Sequence, residues 1–95
     1  MRIISRAMLS DYWTKHPETE ASLKVCETKT KRAVWNKGQD VLDDYPKASL
    51  IGDDRVYFRL GPSRLIVKIN YRAEVVFTRW VGPRKEVQKI DTSSI

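Results

Sequence analysis

The chain has 95 residues, 41% hydrophobic and 32% charged, with a formal net charge of +6, which predicts one folded domain over residues 1–95 rather than a disordered chain. The apolar runs are too short for a membrane span or a secretory signal, so we expect a cytoplasmic protein with no membrane partner. One cysteine and one histidine supply neither a disulfide nor a metal site, and we expect no cofactor.

The N-terminal half has the apolar spacing of helices. Residues 2–4 suit a short edge strand, and Ser5 is placed to cap a helix. A residue before proline avoids helical dihedrals, so this helix should end at His16, with Pro17 opening a second one. The two helices should pack through Tyr12, Trp13, Leu23 and Cys26, with a shorter helix following at 39–44.

After residue 48 the apolar period changes to two, which is typical of strands. Residues 55–60 and 64–70 alternate in this way around a turn, and a third strand covers 74–81, where Trp80 shares the parity of Thr78. Residues 49–52 suit an additional edge strand, Gly82-Pro83 should break the sheet, and residues 84–90 should form a tail over it. The predicted class is α+β, with two N-terminal helices packed on a curled antiparallel β-sheet.

The net charge lies entirely in the strand half. Residues 1–54 carry nine basic and nine acidic side chains, whereas residues 55–95 carry nine basic and three acidic ones. Alternation places Tyr57, Arg59, Arg64 and Lys68 on the sheet face away from the helices. Guanidinium groups bind phosphate oxygens and aromatic rings stack on bases, so RNA is the predicted ligand. The alternative is an ordinary solvated polar face.

Such a face also permits RNA cleavage without a metal, by attack of the 2′-hydroxyl on the adjacent phosphorus. This reaction needs a base, an acid and cations where negative charge develops. Because the strand half has no histidine, Lys68 or Lys89 is the candidate base, since neighbouring arginines disfavour the charged form of a lysine. Arg64 and Arg84 are the candidates for stabilising the transition state.

Several separated blocks resemble the HigB-type toxins of bacterial toxin–antitoxin systems, a group within the RelE superfamily. The blocks are IISRAMLSDYWTKHPETE, AVW, DDYPKASLIGDDRVYFRL, SRLIVKINY and KID, in register between Ile3 and Asp91. The resemblance implies a RelE-like fold and an mRNA interferase, an endoribonuclease that cleaves mRNA, usually on the ribosome, and so inhibits translation. It also implies a HigA-like helix-turn-helix antitoxin as partner.

The resemblance further implies roles for single residues. Arg64, in SRL at 63–65, would contact the scissile phosphate, and Arg84, in VGPR at 81–84, would be catalytic. Together with Lys68 and Lys89, the candidate bases from the charge pattern, these two arginines form the candidate catalytic set. The RNA-binding candidates are Tyr57, Arg59, Arg79, Lys85 and Glu86.

One segment departs from the family pattern. Many relatives carry Thr-His-x-Glu-Tyr where this chain reads PRKEV at 83–87, so Arg84 replaces the histidine and Val87 the tyrosine. Arginine is a poor proton donor, which leaves the general acid unassigned among Lys85, Glu86 and Lys89. Two alternatives stay open: a module that binds RNA or the ribosome without cutting, and a domain whose basic face binds only the antitoxin.

Overall fold

Helices cover one face of a five-stranded sheet in the computed structural model, which describes residues 1–92 and 95. The strands are β1 (Arg2–Ile4), β2 (Ser49–Ile51), β3 (Arg55–Leu60), β4 (Ser63–Asn70) and β5 (Val75–Pro83). The helices are α1 (Arg6–Lys15), α2 (Glu20–Arg32) and α3 (Gly38–Asp44), with 3₁₀ helices at Pro17–Thr19 and Arg84–Lys89. The predicted α+β class is confirmed. In the described part of the chain, no helix has the length and apolarity to cross a membrane.

The strand order is β1-β5-β4-β3-β2. Strands β2 to β5 pair antiparallel in chain order, while β1 pairs parallel with β5, so the sheet is mixed. Leu60 pairs with Ser63, which leaves only Gly61 and Pro62 in the β3–β4 turn. Gly61 has a φ of +63°, a left-handed conformation that glycine adopts without steric cost. This turn becomes important for the candidate site.

The alternation of β3 and β4 produces the core as predicted. Val56, Phe58, Leu65, Val67 and Ile69 are buried together with side chains of α1 and α2. Burying such a side chain contributes about 1.5–3 kcal/mol. The helices contribute Leu9, Trp13, Leu23 and Cys26, with Tyr12 partly buried against them. The helix boundary at His16-Pro17 is also confirmed, since α1 ends at Lys15.

Three local predictions are wrong. Ser5 precedes α1, but its φ is 65° and its side chain makes no cap hydrogen bond. Strand β5 contains a bulge: Val67 pairs with Thr78 and Ile66 with Trp80, so Arg79 is left unpaired. An extra residue reverses the side-chain alternation beyond it, and Trp80 therefore points to the face opposite Thr78. The strand also continues through Gly82 to Pro83 instead of ending before them.

Candidate nucleic-acid interface

The sheet face away from the helices is only partly open. Ile66 points to this face and is fully buried, yet it is not part of the core beneath the helices. The 3₁₀ helix Arg84–Lys89 packs against β4 and β5. Arg55 Nε donates to the backbone oxygen of Ile95 at 2.9 Å. The C-terminal segment therefore covers part of this face, as the sequence predicted for residues 84–90.

Arg59 and Arg64 are directly paired residues of β3 and β4, and the prediction that they share a face is confirmed. Arg59 is exposed, and its Nη1 donates to Lys47 O at 2.6 Å and Ser49 Oγ at 2.9 Å. Its guanidinium carbon lies 4.7 Å from the centroid of the Tyr57 ring. Tyr57 and Arg59 thus form one stacked unit, and the guanidinium edge is accessible to solvent.

Arg64, in contrast, is only 8% exposed; the expectation that it is solvent-exposed is wrong because its side chain folds back onto the turn. Arg64 Nη1 donates to Gly61 O at 2.6 Å and to Ser63 O at 2.8 Å. Among residues 1–92 and 95, no hydrogen bond occupies its Nε or Nη2 and no carboxylate lies within ion-pair distance. Buried charges are normally paired. The Arg64 guanidinium is therefore a candidate anion-binding group.

Arg84 is attached to the same turn. Its backbone N–H donates to Pro62 O at 3.1 Å. Beside it lies a cleft of about 600 Å³, called the turn cleft here, lined by Gly61, Pro62, Pro83, Arg84, Lys85 and Gln88. Arg84 and Lys85 are exposed, and Gly61, which the Arg64 side chain binds, forms part of the wall. The structure therefore fixes the backbone of Arg84 to the same turn as the Arg64 side chain. Arg84 and Lys85 line the turn cleft, whereas Arg64 is buried and is not one of its lining residues.

Trp80 joins this group because of the bulge. A Cβ placed on Gly82 would lie 2.5 Å from Trp80 Cζ2, so the indole ring covers the glycine backbone. Gly82 is the pairing partner of Arg64. The ring therefore lies beside the Arg64 position. Sequence alternation missed this placement, and the glycine two residues after Trp80 was the available signal that an aromatic ring packs there.

Lys68 is not brought to the turn. Its Nζ lies 3.7 Å from Asp54 Oδ2, and Arg55 Nη1 lies 3.1 Å from Asp54 Oδ1. Four residues of extended strand place Lys68 about 13 Å from Arg64. The other candidates are on the surface. Arg79 lies over the Phe77 ring at 5.6 Å, and Glu86 and Lys89 are exposed on the second 3₁₀ helix.

Other reactive residue types do not form a second centre. Cys26 is buried in the core, and burial raises the pKa of its thiol, which keeps it protonated and unreactive. Its interpretation as a packing residue is confirmed. Within the described ranges, no group of three or more His, Cys, Asp or Glu side chains is placed to hold a metal ion.

Comparison with protein families matches residues 19–90 to the HigB_toxin model, described as a RelE-like toxic component of a toxin-antitoxin system. The matched range runs from the start of α2 to the end of the second 3₁₀ helix, and it includes the β3–β4 turn and Arg84. No curated protein matches the chain.

Proposed function

This chain belongs to the HigB toxin family, the RelE-like toxic component of a toxin–antitoxin system, and from that premise we propose that it is an endoribonuclease. It cleaves mRNA on the ribosome in the cytoplasm and so inhibits translation, and a HigA-like helix-turn-helix antitoxin neutralises it. The observation that carries the proposal is the buried Arg64 guanidinium, which has no counter-ion among residues 1–92 and 95 and is bound to the turn that also holds Arg84.

A phosphodiester supplies the anion that this arrangement lacks. Arg84 and Lys85 offer exposed donors on the wall of the turn cleft, and the buried Arg64 guanidinium, bonded to Gly61 O in that wall, adds its positive charge behind them. Hydrogen bonds between charged partners contribute about 1.5–3 kcal/mol each. Arg64 is already immobilised by Gly61 and Ser63, so it loses little side-chain entropy when it binds.

The proposed reaction needs no metal. The 2′-oxygen of one ribose attacks the adjacent phosphorus, the bond from phosphorus to the 5′-oxygen breaks, and the products are a 2′,3′-cyclic phosphate and a 5′-hydroxyl. Arg64 and Arg84 stabilise the charge that develops on the phosphoryl oxygens. One group accepts the 2′-hydroxyl proton and another donates a proton to the leaving oxygen. Lys85, Glu86 and Lys89, on the 3₁₀ helix that begins at Arg84, are the proposed carriers.

The remaining basic residues hold the RNA strand on either side of the cleft. Arg59, stacked on Tyr57, contacts phosphates along β3, and Lys68 extends this track toward the other end of the strands. Arg79 provides a further cation on β5. An extended β-strand rises about 3 Å or more per residue, so these basic groups lie too far apart to act at one reacting centre. They fit successive phosphates along a single RNA strand.

A second candidate function is RNA or ribosome binding without cleavage. The observation that favours it is the pair of residues at the family's histidine and tyrosine positions, Arg84 and Val87, neither of which donates a proton readily. A basic face that binds only the antitoxin is the third possibility. It differs in predicting no salt-sensitive affinity for RNA.

Inducible expression in bacteria separates these functions. Wild-type protein should arrest growth, and primer extension on cellular transcripts should show new breaks. Arg84→Ala should relieve the arrest and abolish the breaks, whereas Arg72→Ala, at an exposed position in the turn between β4 and β5, should do neither. Arrest with intact transcripts would favour the binding function. Equal toxicity of Arg84→Ala and wild type would refute the assignment of Arg84.

A further inference from the structure

A groove runs along the outer side of α2, in the helix layer of the molecule. It consists of two cavities of about 540 and 430 Å³ that share Val25 and Lys29 in their walls. The first extends to Ala33, and the second reaches Tyr45 and Leu60. Val25 is 65% exposed, although it lies on a helix whose opposite side is buried in the core. This α2 groove thus presents an aliphatic surface to solvent.

Cations line the same groove. Lys24, Lys29 and Arg32 line it, and Asp44 is the one carboxylate among the lining residues. Lys24 Nζ also lies 3.5 Å from the exposed Glu20 carboxylate one turn earlier on α2. Asp44 Oδ2 already accepts from Trp35 Nε1 at 2.8 Å. Within the described residues Arg32 has no ion-pair partner. The groove therefore combines an exposed apolar strip with an excess of positive charge.

We propose that the α2 groove binds an acidic amphipathic segment of the antitoxin. An apolar side chain of that segment would pack against Val25 and Leu60, and its carboxylates would meet Lys24 and Arg32. This proposal rests on the toxin–antitoxin part of the proposed function and not on RNA cleavage. Sequence alone did not reveal the site, because the exposure of Val25 depends on how α2 packs against the rest of the molecule.

Charge and surface type together favour a protein over RNA as the occupant. RNA-binding surfaces present exposed rings on which bases stack, whereas the exposed hydrophobic residue here is aliphatic. The ring in the groove, Tyr45, is half-buried and has Lys29 Nζ 4.3 Å from its centroid. Depletion of charge at an apolar centre, with charge at the rim, is the usual form of a protein interface.

The groove also continues toward the proposed RNA track. A third cavity of about 270 Å³ shares Asp44 with the first cavity and Tyr45 with the second, and it ends at Arg59. A bound segment that extends through this cavity would cover Arg59. Antitoxin binding and RNA access would then compete for one side chain, which gives the antitoxin a direct way to neutralise the toxin.

The test compares two valines. Val25→Glu puts a carboxylate into the groove, and Val34→Glu puts the same charge at a site that is 71% exposed and lines none of the three cavities. The probe is the purified protein encoded by the neighbouring reading frame, with affinity measured by calorimetry. Val25→Glu should weaken binding at least about tenfold, a change of about 1.4 kcal/mol, and Val34→Glu should leave it within about twofold. Arg32→Ala, which removes a rim charge, should weaken it less.

Equal affinities for Val25→Glu, Val34→Glu and wild type would overturn the proposal, as would failure of the wild type to bind this probe. Both valines are exposed, so the melting temperatures of the two variants should be close to that of wild type. If Val25→Glu nevertheless unfolds, the affinity of Arg32→Ala for the antitoxin provides a second test of the groove. Without antitoxin, both glutamate variants should cleave RNA as wild type does. A loss of RNA binding in Val25→Glu with unchanged antitoxin affinity would assign the groove to RNA. If the wild type does not cleave RNA, the proposed nuclease activity is refuted. The calorimetric comparison of the two valine variants would still show whether the α2 groove binds the antitoxin.

Discussion

The side chain of Arg64 and the backbone of Arg84 are bound to the same two-residue turn. Arg64 Nη1 donates to the carbonyls of Gly61 and Ser63, and the Arg84 N–H donates to the carbonyl of Pro62 between them. A residue on β4 and the first residue after β5 are thus fixed relative to each other. Besides the phosphate contact proposed for it, Arg64 therefore has a structural role, because it orients the turn that positions Arg84.

The structural role of Arg64 predicts a loss of stability. Arg64→Ala removes two charged hydrogen bonds and leaves two carbonyls of the turn without their partner, so the free energy of unfolding should fall by about 1–3 kcal/mol. Arg64→Lys should recover part of this loss, because its ammonium can still donate a hydrogen bond. It should not recover all of it, because an ammonium lacks the planar fork of a guanidinium. Urea denaturation measures both. The exposed Arg84 side chain serves as control, because Arg84→Ala should change stability by less than about 0.5 kcal/mol. Equal midpoints for Arg64→Ala and Arg84→Ala would contradict the buried role.

The buried Arg64 guanidinium has no carboxylate partner in the part of the chain that the structure describes, which predicts stabilisation by inorganic phosphate. An anion that binds only the folded state stabilises it by RT ln(1 + c/Kd), where c is the free anion concentration, so the melting temperature rises with that concentration. The wild type should melt a few degrees higher in phosphate than in chloride of the same ionic strength. Differential scanning calorimetry measures the shift. Arg84→Ala should lose most of the shift and Arg72→Ala should retain it. The same shift in both variants would mean that phosphate acts elsewhere on the chain.

Much of the fold could be predicted because its signals are local. The alternation in β3 and β4 follows from side-chain geometry alone, so the buried face and the shared face of Arg59 and Arg64 could be predicted from the sequence, whereas their direct pairing depends on a turn of two residues instead of three. The helix boundary at His16-Pro17 follows from a steric rule. The parallel pairing of β1 with β5 was not accessible, because it joins residues more than seventy positions apart, and neither was the bulge at Arg79.

The candidate site was predicted less well for a related reason. Sequence parity gives the face of a side chain but not its final path, and Arg64 turns back to two carbonyls of its own hairpin instead of extending into solvent. Lys68 lies on the predicted face, but its nearest opposite charge is Asp54, which precedes β3 in the chain. Both outcomes depend on distances between side chains that a binary pattern does not contain.

The proposed RNA track predicts a salt dependence. For single strands, the logarithm of the binding constant falls with the logarithm of salt concentration by about 0.7 for each phosphate neutralised. Arg59→Ala should therefore reduce the slope by about 0.7 and weaken binding at low salt, without affecting the core. Fluorescence anisotropy with a labelled single-stranded RNA measures the slope. Arg72→Ala is again the control, and an unchanged slope in Arg59→Ala would remove Arg59 from the track.

Glu27 predicts how stability depends on pH. Its side chain is 9% exposed on the inner side of α2, and Oε1 accepts from Arg6 Nε at 2.7 Å and lies 3.2 Å from Lys31 Nζ. Burial by itself would raise the pKa of Glu27, but the hydrogen bonds from Arg6 and Lys31 outweigh it and lower the pKa. The folded protein therefore binds the Glu27 proton more weakly than the unfolded chain does.

A lowered carboxyl pKa stabilises the fold above the unfolded value, about 4.3 for glutamate, and this contribution is lost as pH falls through the folded pKa. Glu27→Gln should lower the free energy of unfolding by about 1–3 kcal/mol near neutral pH, and the difference from wild type should shrink as the pH falls below the unfolded value of about 4.3 and through the lower folded pKa. Glu20→Gln is the matched control, because Glu20 is exposed and lies 3.5 Å from Lys24, a pair that contributes less than about 1 kcal/mol. Urea denaturation from acidic to neutral pH measures the stability of wild type, Glu27→Gln and Glu20→Gln. Parallel stability curves for wild type and Glu27→Gln would show that Glu27 does not carry the acid sensitivity, because linkage requires the two curves to converge as the carboxylate is protonated.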